Sequence, residues 1–235
     1  MRSKMTSLRA LAAAALVLLP GALAAQSLDP ASDVEIASDT LERPERAADS
    51  GVFITQIGVN NRASTAQSSA RQFVQIGQDG DDNQASVLQA DDGDHFAQIL
   101  QDGDANLVEL SQQGTGATTL LLAQQGNGNS VLLSQSDFGG DGSVAAIAQA
   151  GVGNSIELTQ SGSNNQANLL QTGDNNSMIA EQFGNGNRLT WTQTGSNLGP
   201  APAGQGTRVT QTGGQVIEIT QSSGGGVAFA PPPSN

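Results

Sequence analysis

Residues 160–195 read QSGSNNQANLLQTGDNNSMIAEQFGNGNRLTWTQTG, and their spacing decides the fold. Gln stands at 160, 171, 182 and 193, Gly two residues later at 162, 173, 184 and 195, and Asn at 165, 176 and 187. A period of 11 in three residue types argues for stacked units rather than disorder, because a disordered chain has no need of a register. Working outward, the same Gln recurs at 56, 67, 78, 89, 101, 112, 124, 135 and 149, and again at 211 and 221. Most intervals are 11; the exceptions are 12, 14, 18 and 10.

Between one Asn and the next Gln the order is Asn-x-apolar-x-apolar-x-Gln, which is strand periodicity. Asn154, Ile156, Leu158 and Gln160 share one face, and Ser155, Glu157 and Thr159 share the other. The first face carries the fixed amides and the apolar residues, so it belongs inside. The unbroken form Gln-x-Gly-x-x-Asn places turn glycines at Gly58, Gly80, Gly103, Gly126, Gly151, Gly162, Gly173 and Gly184. A tight reversal needs a position with positive φ, which glycine takes at least cost.

The amides of the same form are Gln56, Asn61, Gln78, Asn83, Gln101, Asn106, Gln124, Asn129, Gln149, Asn154, Gln160, Asn165, Gln171, Asn176, Gln182 and Asn187. Stacked strands lie about 4.8 Å apart. At that spacing each buried amide can donate to one copy of itself and accept from the other, which removes the cost of burying it. Every second turn keeps the unbroken form, after Gln56, Gln78, Gln101, Gln124, Gln149 and Gln171, while the turns between them vary. The expected unit is therefore two strands and two turns, about 22 residues. That makes an all-β, two-sheet β-solenoid of about seven coils over residues 50–221.

Composition agrees with a thin core. Aromatic residues are 3%, charged residues 13%, and Gly is 29 of 235. There is no cysteine, so no disulfide frame is available. Residues 1–24 read as a secretory signal: Arg2, Lys4 and Arg9 precede the apolar stretch Leu8–Leu19, and Ala22-Leu23-Ala24 suits cleavage. That stretch is too short to span a membrane, and no later one is long enough. Removal of three of the 9 basic residues leaves six against 22 acids, a mature net charge of −16. Such a chain is a poor ligand for nucleic acid or an anionic membrane. Residues 25–49 form an acidic leader without the repeat, and 222–235 a Gly- and Pro-rich tail.

QDGDDNQASVLQ at 78–89 and QSGSNNQANLLQ at 160–171 resemble, position by position, the curlin repeat of bacterial curli subunits. The resemblance runs through residues 56–221. It implies an extracellular functional amyloid, secreted unfolded and assembled at the cell surface for adhesion and biofilm matrix. It further implies self-association into fibres, with other curli-like subunits and a secretion machinery as partners. Nucleator and major subunit resemble the chain equally. Some units carry Val, Ile, Leu or Met where the family pattern prefers Ala.

Nothing in the sequence composes a catalytic centre, and no cofactor is expected. His95, the only histidine, occupies an Asn position of the repeat, and a zinc site or nucleophilic triad lacks its residues. Trp191 falls on the inner face of the seventh coil. Asp79 with Asp102, and Asp81 with Asp104, take equivalent places in successive coils. They are solvated turn charges or the carboxylates of a calcium site. Phe73, Phe96, Leu100, Leu121 and Val144 point outward as a candidate contact strip. Two functions follow: a fibre subunit that stacks through its end strands, or a monomeric solenoid acting as adhesin or ligand-binding module.

Overall fold

In the computed structural model, residues 51–199, 208–223 and 228–230 are described. The signal and leader expected at 1–24 and 25–49 lie outside them. The described residues form strands and turns with no helix.

The strands alternate between two sheets. One holds β1 (Gly51–Ile57), β3 (Phe73–Asp79), β5 (His95–Asp102), β7 (Thr118–Gln125), β9 (Ser143–Ala150), β11 (Gln166–Thr172), β13 (Arg188–Thr194) and β15 (Val216–Ser222), in that spatial order. The other holds β2 (Arg62–Gln67), β4 (Gln84–Gln89), β6 (Leu107–Gln113), β8 (Ser130–Ser136), β10 (Ser155–Ser161), β12 (Ser177–Phe183) and β14 (Arg208–Thr212). Each strand from β1 to β13 pairs in parallel with the strand two further along the chain. The molecule is the two-sheet β-solenoid expected from the 11-residue period, with coil boundaries where the unbroken motif put them.

The inner faces meet in a single apolar stack. Val74, Ile76, Val87, Ile99, Leu120, Leu133, Ile156, Leu158, Leu169, Met178 and Leu189 are all buried in it. Burying each aliphatic side chain contributes about 1.5–3 kcal/mol. Trp191 is fully buried between Leu169 and Ile219 in register, and its Nε1–H donates to Gln221 Oε1 at 2.9 Å.

Register survives unequal turns. Gln135 pairs with Gln160 across 25 residues, and Gln160 with Gln182 across 22. The extra residues go to the turn between β8 and β9, where Asp137 is fully buried. Its Oδ1 accepts from Ser163 Oγ at 2.7 Å and from the Gly139 and Gly140 N–H groups at 2.9 and 3.3 Å.

The outer strip differs from its expectation at one residue. Phe96 is buried rather than outward-exposed, because Phe73 lies flat on it with ring centroids 5.3 Å apart and planes 3° apart. Phe53 continues the row at 5.4 Å from Phe73.

The tail contains an element that the repeat does not announce. β16 (Ala228–Ala230) returns antiparallel along β15, with Thr220 opposite Ala228 and Glu218 opposite Ala230. Among the described residues, β1 and β2 end their sheets unpaired at one end of the stack, and β14 ends its sheet at the other.

Candidate functional site

The repeat side chains fall into rows that run the length of the solenoid. Two are glutamine rows. In the first sheet, Gln56 Nε2 donates to Gln78 Oε1 at 2.6 Å, and the pattern continues through Gln101, Gln124, Gln149, Gln171 and Gln193 to Gln221. In the second sheet the row runs Gln67, Gln89, Gln112, Gln135, Gln160, Gln182 and Gln211, with distances of 2.7–2.9 Å. The second Nε2 hydrogen is used as well: Gln78 donates it to Arg62 O and Gln171 to Ser155 O. A buried amide thus meets its donors and acceptors without water.

The motif Gln-x-Gly-x-x-Asn does not reach Gln67, Gln89, Gln112, Gln135, Gln193, Gln211 and Gln221, because their turns lack its Gly or Asn. The period of Gln alone identifies them.

Asparagines use a different geometry. Asn83 Oδ1 accepts the backbone N–H of Asn106 at 3.1 Å, while Asn83 Nδ2 donates to Gly103 O at 2.6 Å. The same arrangement ties Asn61, Asn106, Asn129, Asn154 and Asn176 each to the coil that follows. On the other turn, Asn187 N–H donates to Asn165 Oδ1, and Asn165 Nδ2 to Gly184 O. Asn is one methylene shorter than Gln and stands where the turn leaves backbone groups unpaired. It therefore ties backbone rather than chiefly its own copies.

Gly58, Gly80, Gly103, Gly126, Gly151, Gly162, Gly173 and Gly184 all have positive φ, between 82° and 119°. Gly103 shows the second constraint: a Cβ there would lie 2.3 Å from Gly126 O of the next coil. Stacking at strand spacing leaves no room for a side chain.

The residue after each such glycine forms a row that the motif did not predict. Asp81 Oδ1 accepts Val59 N–H at 2.7 Å, Asp104 Oδ1 accepts Asp81 N–H at 2.9 Å, and Asn127 Oδ1 accepts Asp104 N–H at 2.9 Å. Asp174 serves Val152 in the same way. Asp81 and Asp104 are thus backbone acceptors as well as turn charges. Asp79 and Asp102 are direct neighbours in register. Burial, and then the charge of Asp79, raise the Asp102 carboxyl above its ordinary value. Among the described residues no three His, Cys, Asp or Glu side chains gather to hold a metal ion.

His95 fills the Asn position of its turn. It is fully buried, with Nδ1 2.9 Å from Thr118 Oγ1 and Nε2 2.9 Å from Ala90 O. A donor Nε2–H and an acceptor Nδ1 describe a neutral ring. Burial lowers its pKa, against the pull of Ala90 O and the nearby aspartates.

The end coil interrupts these rows. Gln56 and its inward neighbours Val52 and Ile54 are exposed, and Gln67 is half-buried, although their equivalents deeper in the stack are buried. Neither Gln56 Oε1 nor Gln67 Oε1 accepts a hydrogen bond from any described residue. No helix among the described residues is long and apolar enough to cross a membrane.

Residues 162–195 match the curlin associated repeat. No curated protein and no solved structure matches the chain. The match lies within rows that continue in both directions at the same period, so residues 162–195 carry the curlin associated repeat inside a longer stack of like units.

Proposed function

We propose that the chain is a secreted structural subunit of curli-like extracellular fibres, serving adhesion and biofilm matrix, and that subunits add by stacking coil on coil. The observation that carries this reading is the end coil, whose outer edge is unpaired among the described residues. An unpaired parallel edge with an exposed inner row is an aggregation hazard in an ordinary protein. Here it displays Val52, Ile54 and Gln56, the residues that every deeper coil buries under its neighbour. The absence of a catalytic grouping in the repeat pattern favours a structural role, and the signal-like residues 1–24 favour export.

The test is growth of the mature chain over a concentration series, followed by amyloid dye and electron microscopy. Dye-positive fibres with a concentration-dependent rate are expected. A chain that remains monomeric after long incubation would favour the capped adhesin or ligand-binding module instead.

A further inference from the structure

Among the described residues the coil strands are odd in number: eight in the first sheet, setting β16 apart, and seven in the second. The C-terminal end is therefore a step. β15 stands one level beyond β14, and the place beside it above β14 is open among the described residues. A second copy that added β1 to β15, sheet on like sheet, would leave that place vacant. A copy turned by half a revolution fills it, with β1 on β14 and β2 on β15.

We propose that successive copies join in this half-turned register and that β16 yields its place on β15 to the incoming β2. The inference rests on the stacking reading above and specifies its joint. The two halves of a coil are alike enough to exchange, because both sheets carry an inward apolar-x-apolar-x-Gln row ending at the same level. Setting Gln67 over Gln221 puts Ala63 over Ile217 and Thr65 over Ile219. Ala63 and Ile217 are the partly buried apolar residues packed at the two ends of the core. The other strand sets Gln56 over Gln211 and Ile54 over Val209.

Hydrogen-bond polarity matches. Gln221 Oε1 is already engaged by Gln193 and Trp191, and its Nε2 has no partner among the described residues. Gln67 Oε1 accepts from no described residue, and its Nε2 is already bound to Gln89. The joint makes the missing Gln221-to-Gln67 bond. Gln211 Nε2 now donates to Arg188 O and Gln215 O, so it releases Gln215 O to reach Gln56. β16 spans three residues and β2 spans six, so the exchange lengthens the pairing on β15.

The chain has no cysteine, so an introduced pair can report the joint alone. Parallel neighbours about 4.8 Å apart lie within disulfide reach. In the half-turned register Ala66 of one copy faces Thr220 of the next, whereas in the like-on-like register Thr55 faces Thr220. Fibres of Ala66→Cys/Thr220→Cys, grown reduced and then oxidised, should run as covalent multimers on a denaturing gel. Fibres of Thr55→Cys/Thr220→Cys should run chiefly as monomers. The reverse result, or multimers from neither pair, overturns the inference while leaving the fibre reading intact. No fibres from the unsubstituted chain overturns both. Should the substitutions impair folding, the rotation between successive copies in unsubstituted fibres decides: near 180° is expected, and near 0° overturns it.

Discussion

Gln124 Nε2 donates to Gln149 Oε1 at 2.9 Å across 25 residues, and Gln149 Nε2 donates to Gln171 Oε1 at 2.8 Å across 22. The ladder holds one spacing while the turns absorb the difference in length. Registration by buried amides has a measurable cost of failure. Replacing Gln149, Asn154, Gln171 and Asn176 with Ala strands their neighbours' donors and acceptors, at about 1–3 kcal/mol for each buried group left unmatched. Assembly of that variant should slow by at least tenfold in dye kinetics. Ala at outward Ser155, Gln166 and Ser177 should leave the rate within about twofold. Equal effects would contradict the division of labour between the faces.

Ala105 is the alanine among the left-handed turn residues, at φ 56°, where the equivalent residues include Asn60, Asp82, Asn175 and Asn197. The left-handed region costs an ordinary L-residue about 1–2 kcal/mol. Asn tolerates it better, so Ala105→Asn should stabilise the folded chain by about 0.5–1 kcal/mol in urea titration. Gly103→Ala should do the opposite and cost at least about 2 kcal/mol, from a strained φ and the clash with Gly126 O.

Two groups give opposite acid responses. The folded Asp102 carboxyl is raised above its ordinary 3.8, so the stability linked to it is present at low pH and is lost as pH rises through the folded value. His95 is lowered below 6.5, so its contribution is present above 6.5 and is lost as pH falls toward the folded value. The stability of Asp102→Asn relative to the unsubstituted chain should therefore increase as pH rises from 3 to 7. That of His95→Asn should increase as pH falls from 7 to 5. Flat differences in either titration would remove that residue from the account. Salt should speed assembly at pH 8 by screening the acidic chains. Calcium should do no more than sodium at equal ionic strength, since Asp81 and Asp104 already serve backbone N–H groups.

A chain ending at Ser223 lacks β16 and should start fibres with a lag at least about threefold shorter than the full mature chain. An unchanged or longer lag would mean that the strand along β15 does not guard it.

The solenoid was legible because its signal is redundant: Gln, Gly, Asn and two apolar positions all keep the same period, so the loss of one leaves the others. The equivalent places of Asp81 and Asp104 were legible, but the backbone-acceptor role of Asp81, Asp104 and Asp174 was not. A turn aspartate that accepts a backbone N–H from the preceding coil looks in sequence like one facing solvent. Asp137 was hidden for a related reason, since it lies in the 14-residue interval where the period lapses. The β16 segment, AFA at 228–230, carries no repeat residue, and only its pairing with β15 distinguishes it from linker. Strand parity puts Phe96 on the outer face, but parity does not register that Phe73 stacks on it and buries it.

Electron cryomicroscopy of the fibres tests the central claim most directly. Fifteen coil strands over two sheets span seven and a half levels, so coil-on-coil stacking predicts one copy per ~36 Å of fibre axis with the half-turned joint, or ~38 Å like on like, with strands perpendicular to that axis. A repeat that does not correspond to this stack, or strands running along the axis, would contradict it.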